Sequence, residues 1–348
     1  MNTVPAYVAH SVDGPLVPGA VTRRDVGPKD VLIDIAWAGI CHSDIHTVRG
    51  DWGPQTYPLT VGHEIVGTVA RVGADVDRYE PGDRVAVGCL VNSCGECSNC
   101  NADQEQYCLN GNVGTYASID VDGTVTQGGY STQIVVNDDF VLSLPESIPF
   151  EKAAPLVCAG ITTYSPLRHW KVGPGMKVAI IGLGGLGHMA VKIAHALGAE
   201  VTVLSRTLAK RDAGLALGAD HYYATSDTST FDELEGTFDV ILNTISTWLD
   251  LNDYLPLLAL HGTLITVAEA TEPITISESR LQTNRRSIAA STIGGIAETQ
   301  EMLDFCAKHG ITPEVELIAA DQINDAWDRV LAADVRFRFV IDASTFGS

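Results

Sequence analysis

The sequence predicts an α/β protein in which a doubly wound parallel sheet is joined to a strand-rich, barrel-like domain with a cysteine lobe. Three observations lead there. The glycine pattern Gly182-Leu183-Gly184-Gly185-Leu186-Gly187 sits between an apolar strand and a helix, short β-type runs fill Val31 to about Asp83, and four cysteines crowd residues 94–108. With 348 residues, 45% hydrophobic and 19% charged, the chain has the composition of a globular protein and the length of two domains.

In the first part, Val31-Leu-Ile-Asp-Ile-Ala36, Ile65-Val-Gly-Thr-Val-Ala-Arg-Val72 and Arg84-Val-Ala-Val87 read as strands punctuated by Gly, Pro and Asp. Residues 92–112 then become rich in Cys, Asn and Gly with no apolar periodicity, so something other than a hydrophobic core must hold them. After Pro155 the pattern changes again. Lys177-Val-Ala-Ile-Ile181 is a short apolar strand, a helical segment runs from about Leu186 to Leu197, and Glu200-Val-Thr-Val-Leu204 completes a β-α-β unit. Strands at Phe238–Leu242 and Gly262–Val267 extend the alternation into a parallel, Rossmann-type sheet. The tail carries a helix over Glu298–His309 and a strand over Arg336–Asp342. The expected division is 1–155 for the first part of the strand-rich domain, 156–292 for the sheet domain and 293–348 for a return segment that completes the first.

Charge removes several function classes. Lys and Arg number 22 against 43 Asp and Glu, a net charge of -21, whereas nucleic acid and anionic lipid are gripped by clustered basic residues. Neither is expected as a partner. Met1 to His10 lacks a basic region followed by an apolar stretch, and no apolar run reaches the roughly 20 residues of a membrane span. A cytoplasmic chain is expected, and there eight cysteines point to metal ligation or catalysis before disulfides.

Cys94, Cys97, Cys100 and Cys108 stand as C-x2-C-x2-C-x7-C, four soft donors suited to a tetrahedral Zn2+. The first three alone would also imitate part of an iron–sulfur motif. Four thiolates close the coordination shell, so this site is expected to be structural, replacing a missing core. Chemistry must then lie elsewhere. Cys41, the pair His63-Glu64 and Cys158 supply further donors, and a Cys2His set keeps one position open for a substrate oxygen. Taken singly each is weak, since a lone Cys or His is usually packed or simply at the surface.

The glycines 182, 184, 185 and 187 give G-x-G-x-x-G after a strand and before a helix, the context in which backbone N–H groups approach a pyrophosphate. The next strand ends in Ser205-Arg206, where an Asp or Glu would hydrogen-bond the ribose of NAD. Without that acid a 2′-phosphate is not repelled; Arg206 and Lys210 can pair with it and Ser205 can donate a hydrogen bond. The expected cofactor is NADP(H).

Gly62-His63-Glu64-x2-Gly67-x5-Gly73-x2-Val76 resembles the zinc signature of the medium-chain alcohol dehydrogenase superfamily, and the four-cysteine lobe fits it. Cys41-His-Ser-Asp-Ile-His46, Cys158-Ala-Gly-Ile-Thr162 and Asp334-Val-Arg-Phe-Arg-Phe-Val-Ile-Asp342 are similar to the cinnamyl alcohol dehydrogenase-type branch and its bacterial NADP-dependent relatives, a likeness that spans nearly the whole chain. The resemblance implies a GroES-like barrel catalytic domain around a Rossmann cofactor domain, and a homodimer or homotetramer. It places Cys41, His63 and Cys158 on a catalytic zinc beside the structural one, with Glu64 as a nearby carboxylate or transient ligand. It also implies a proton relay through Ser43 and His46, extended by Asp51. By family position His42, Thr162, Thr244, Ser291, Thr292, Ile293 and Arg338 lie near the nicotinamide or the phosphates.

The implied reaction moves a hydride between NADP(H) and a primary alcohol/aldehyde pair, aromatic or medium-chain, with zinc as Lewis acid; Trp52 is a candidate pocket wall. A zinc-free quinone or enoyl reductase of the same superfamily would not need Cys41, His63 and Cys158 together. A non-catalytic protein binding NADPH and zinc would not need the relay. A zinc-knuckle nucleic-acid binder is disfavoured by the acidic charge.

Overall fold

The computed structural model describes residues 2–268 and 272–347. By proximity the chain divides into two units, Met1–Ile161 with Gly294–Ser348, and Thr162–Ile293. The division falls within the helix Ala159–His169 and again after Ile293.

In the first unit the strand Asp30–Gly39 lies inside a seven-stranded sheet. Its apolar residues Val31, Ile33 and Ile35 recur at every second position and are buried, so one face fills the core. It pairs antiparallel with Ile65–Val72, Gln133–Asn137 and Arg338–Asp342. At its C-terminal end Gly39 N donates to Glu64 O at 2.8 Å and Ile40 N to Phe339 O at 3.0 Å. The segments bearing Cys41, His63-Glu64 and Arg338 therefore emerge together at one edge of the sheet. The return segment completes this unit. Its helix, Ile296–His309, buries Met302, Leu303 and Cys306, and Gln300 bonds both backbone groups of Ser143. The predicted terminal strand begins at Arg338, two residues past the expected Arg336.

The cysteine lobe has the coreless character expected of it. A two-stranded antiparallel ribbon, Leu90–Asn92 with Val113–Gly114, closes its base. Between the two strands the regular structure is confined to the 3-10 turns Cys100–Ala102 and Glu105–Tyr107.

The second unit is a six-stranded parallel sheet. Its order is His221–Ala224, Glu200–Ser205, Lys177–Ile181, Phe238–Asn243, Leu258–Thr266, Ser287–Ala290. Numbered along the chain this is 3-2-1-4-5-6, the order of doubly wound dinucleotide-binding sheets, in which ligands bind where the winding reverses. The reversal lies beside Lys177–Ile181, the strand that leads into the glycine loop. Helix Gly185–Ala196 follows, burying Met189, Val191 and Ile193. Among the described residues no helix is long and apolar enough to cross a membrane.

Candidate active site

Cys41 is the N-cap of helix His42–Arg49, and the local sequence holds it there. Asp44, three residues on, turns its carboxylate back to accept the Cys41 N–H at 2.8 Å, and Gly50 ends the helix in the left-handed region at φ 69°. His63 and Glu64 precede strand Ile65–Val72. Gly62 before them has φ 107°, and a Cβ there would lie 2.5 Å from the Tyr130 ring, so only glycine fits this turn. Cys158 stands between the 3-10 turn Ala154–Val157 and helix Ala159–His169.

These elements bring one donor atom each from Cys41, His63, Glu64 and Cys158 within 4.8 Å of one another, all four residues buried. The two sulfurs lie 3.9 Å apart, close to the ~3.8 Å that a tetrahedral Zn2+ with Zn–S of about 2.3 Å would require. His63 Nε2 is 3.1 Å from the Cys158 sulfur, which leaves this nitrogen facing the thiols. Glu64 has no exposed surface and neither of its oxygens has a hydrogen-bond partner. Arg338 Nη2 approaches Glu64 Oε1 to 3.3 Å as an ion pair without hydrogen-bond alignment. Burial raises the Glu64 carboxyl above the ordinary carboxylate range, against the pull of Arg338. A buried carboxylate lacking hydrogen bonds, beside two thiols and an imidazole, is a donor set that fits a divalent metal.

Asp44, which sequence reasoning passed over, organises this cluster. Its carboxylate is fully buried and also accepts Gly62 N at 3.2 Å and Tyr130 OH at 2.9 Å, and lies 3.4 Å from His63 Nδ1. Cys89 sets its thiol 3.9 Å from Val157 O, one residue before Cys158. No spacing pattern in the sequence marks either residue.

Ser43 Oγ lies 3.6 Å from the Cys41 sulfur. One turn on, His46 Nδ1 meets Asp51 Oδ2 at 2.7 Å and its ring packs 5.2 Å from Trp52. Because Asp51 takes Nδ1, Nε2 of His46 is the atom left for proton exchange. His42 is exposed, with its ring 6.3 Å from that of His46.

The donor sulfurs of Cys94, Cys97, Cys100 and Cys108 form the second cluster, also within 4.8 Å of one another. Cys94 and Cys97 lie 3.9 and 3.5 Å from Cys100, separations that bracket the same ~3.8 Å tetrahedral value. The amides of Cys100 and Leu109 point at Cys97 Sγ and pull its thiol down to about 6. None of the eight cysteines is in a disulfide.

In the second unit Gly182 has φ 91°, and a Cβ on Gly187 would lie 2.1 Å from Gly182 O. Gly184 is the helix N-cap, Gly185 and Leu186 open the helix, and a Cβ on Gly184 would meet nothing within 4 Å. Thr244 closes the loop from below, its N and Oγ1 both donating to Ile181 O at 3.1 and 2.8 Å. Ser205 is the last residue of its strand, Arg206 after it is exposed, and Lys210 Nζ donates to Leu183 O at 3.2 Å. Thr162 is buried, Ser291 N donates to Thr266 O at 3.0 Å, and Thr292 leads to Ile293 at φ 24°. Arg338 belongs to the first unit, where it also donates to Ile40 O at 3.1 Å.

Comparison with known proteins adds the family. A model described as the alcohol dehydrogenase GroES-like domain matches residues 27–146, and one described as zinc-binding dehydrogenase matches residues 185–308. The NADP-dependent alcohol dehydrogenase C 1 of Mycolicibacterium smegmatis is 59% identical over 100% of both chains. Among solved structures, a cinnamyl alcohol dehydrogenase from Sorghum bicolor superposes with a TM-score of 0.96 at 39% identity, covering 100% of this chain and 99% of that one. A second, from Helicobacter pylori complexed with NADP(H), gives 0.93 at 43% identity over 98% of each.

Proposed function

Because the chain belongs to the zinc-binding medium-chain alcohol dehydrogenases, in their cinnamyl alcohol dehydrogenase-type branch, we propose that it interconverts primary alcohols and aldehydes, aromatic or medium-chain, using NADP(H). The observation that carries this reading is the buried convergence of Cys41, His63, Glu64 and Cys158. Cys41, His63 and Cys158 would hold the catalytic zinc, with Glu64 beside it, and the four cysteines 94, 97, 100 and 108 a structural one, two per chain. Bound in these sites, the metal supplies Lewis acidity toward an alcohol or carbonyl oxygen and the nicotinamide carries the hydride.

The chain's own residues do the rest. Ser43, whose Oγ lies beside the Cys41 sulfur, would exchange a hydrogen with the substrate oxygen. His46 takes the proton on toward solvent through Nε2, with Asp51 holding the ring by Nδ1. The glycines 182, 184, 185 and 187 give the pyrophosphate a bare backbone and a helix N-terminus, and Thr244 braces that turn. Ser205, Arg206 and Lys210 receive the 2′-phosphate.

Steady-state reduction of cinnamaldehyde with each cofactor tests this. NADPH is expected to be preferred to NADH, and Arg206→Ala to raise KM for NADPH roughly tenfold, the loss of one exposed charge-assisted contact, with little effect on NADH. Equal use of both cofactors, unchanged by the substitution, would refute the assignment of the phosphate site.

A further inference from the structure

His63 can offer Nε2 to a metal only if its one ring hydrogen sits on Nδ1. Two oxygens compete for that hydrogen, Tyr116 Oη at 3.1 Å and Asp44 Oδ1 at 3.4 Å. The second distance lies beyond the usual N–H···O range of about 2.7–3.2 Å. Asp44 is moreover engaged elsewhere, by Cys41 N, Gly62 N and Tyr130 OH. The phenol oxygen is both donor and acceptor, so it can take that hydrogen.

The backbone around Tyr116 is pinned. Thr115 N donates to Cys89 O at 3.1 Å, and its hydroxyl donates to Gly88 O at 2.5 Å. On the other side Ala117, at φ 56°, donates to Thr126 O at 3.0 Å. The phenol ring is thereby set 5.5 Å from the imidazole at 35°.

We propose that Tyr116 is a positioning residue for the catalytic metal: its hydroxyl accepts the Nδ1–H of His63 and so fixes the imidazole with Nε2 toward the two thiols. This rests on the reading that Cys41, His63 and Cys158 hold zinc. Partners behind a ligating histidine set its tautomer and ring orientation, and their loss costs roughly 10–100-fold in metal affinity. Tyr116 lies two residues after the ribbon that closes the cysteine lobe.

Tyr116→Phe removes one oxygen and keeps the ring. In the full zinc-loaded chain, the release of each zinc to a chelator is timed, the two sites being told apart with Cys158→Ser. Visible absorption is then recorded with cobalt(II) in the Cys41–His63–Cys158 site. Zinc there is expected to leave roughly 10–100-fold faster than in the parent, with the four-cysteine zinc unaffected and the cobalt bands displaced. Parental release and parental bands would overturn the proposal, as would equal acceleration at both sites, which would mean that the hydroxyl serves the fold. Zinc content in the parent that Cys158→Ser leaves unchanged would instead sink the underlying metal assignment, and the proposal with it.

Discussion

Asp44 gathers an N-cap amide, a turn amide and a phenol around one buried carboxylate, and stands behind the histidine that faces the thiols. A charge this deep is tolerable only when its lone pairs are satisfied, so Cys41, Gly62 and His63 are held in place by the same requirement that keeps Asp44 stable. The proposed relay would depend on a comparable arrangement, Asp51 on His46 Nδ1 at 2.7 Å. General acid–base groups contribute about 10²–10⁴-fold to a rate. His46→Gln is accordingly expected to lower kcat about 100-fold at neutral pH while zinc content and NADPH affinity stay parental; an unchanged kcat would remove this histidine from the proton path. Residues of this kind are the least legible in sequence. Tyr116 is 53 positions from His63, and Cys41 is 117 from Cys158, so no local spacing records that they meet. Donor chemistry offered Cys41, His63 and Cys158 as a Cys2His set and the resemblance assigned them to one zinc, whereas Asp44 stood inside a quoted motif without a role and Cys89 and Tyr116 carried no signal.

At the scale of elements, the local signals were stronger because the chemistry itself is local. The run from Lys177 to Leu197 predicted a strand, a glycine turn and a helix, and the structure has Lys177–Ile181 followed by Gly185–Ala196. The four lobe cysteines are close in sequence, so their spacing alone grouped sulfurs that the fold brings within 4.8 Å. Short edge strands such as Val315–Ile318 and Ser287–Ala290 went unseen, since partners far away in sequence decide their conformation. The glycine loop offers a direct test. A Cβ on Gly187 would stand 2.1 Å from Gly182 O, a backbone atom that cannot swing aside. Gly187→Ala is expected to weaken NADPH binding at least about tenfold, the factor that corresponds to ~1.4 kcal/mol of lost contact, as read by fluorescence titration. Its zinc content should match the parent; parental NADPH affinity would show that this close approach does not shape the cofactor site.

For the whole molecule, both candidate metal clusters lie in the unit built from Met1–Ile161 and Gly294–Ser348, and the glycine loop lies in Thr162–Ile293. The alternation of strands and helices made the second unit readable from composition and period. The first unit needs its C-terminal return, because Arg338–Asp342 pairs with the strand that leads into Cys41. An arrangement of that kind is set by contacts nearly 300 residues apart, as between Arg338 and Ile40, which no window of sequence contains. Metal stoichiometry reads the assembled chain at once. Zinc per chain, measured by elemental analysis beside NADPH-dependent cinnamaldehyde reduction, is expected to be about two in the parent and about one in Cys158→Ser, with turnover abolished in the variant and the four-cysteine zinc retained. A Cys158→Ser protein that kept parental zinc and parental turnover would contradict the assignment of Cys41, His63 and Cys158 as the catalytic metal site.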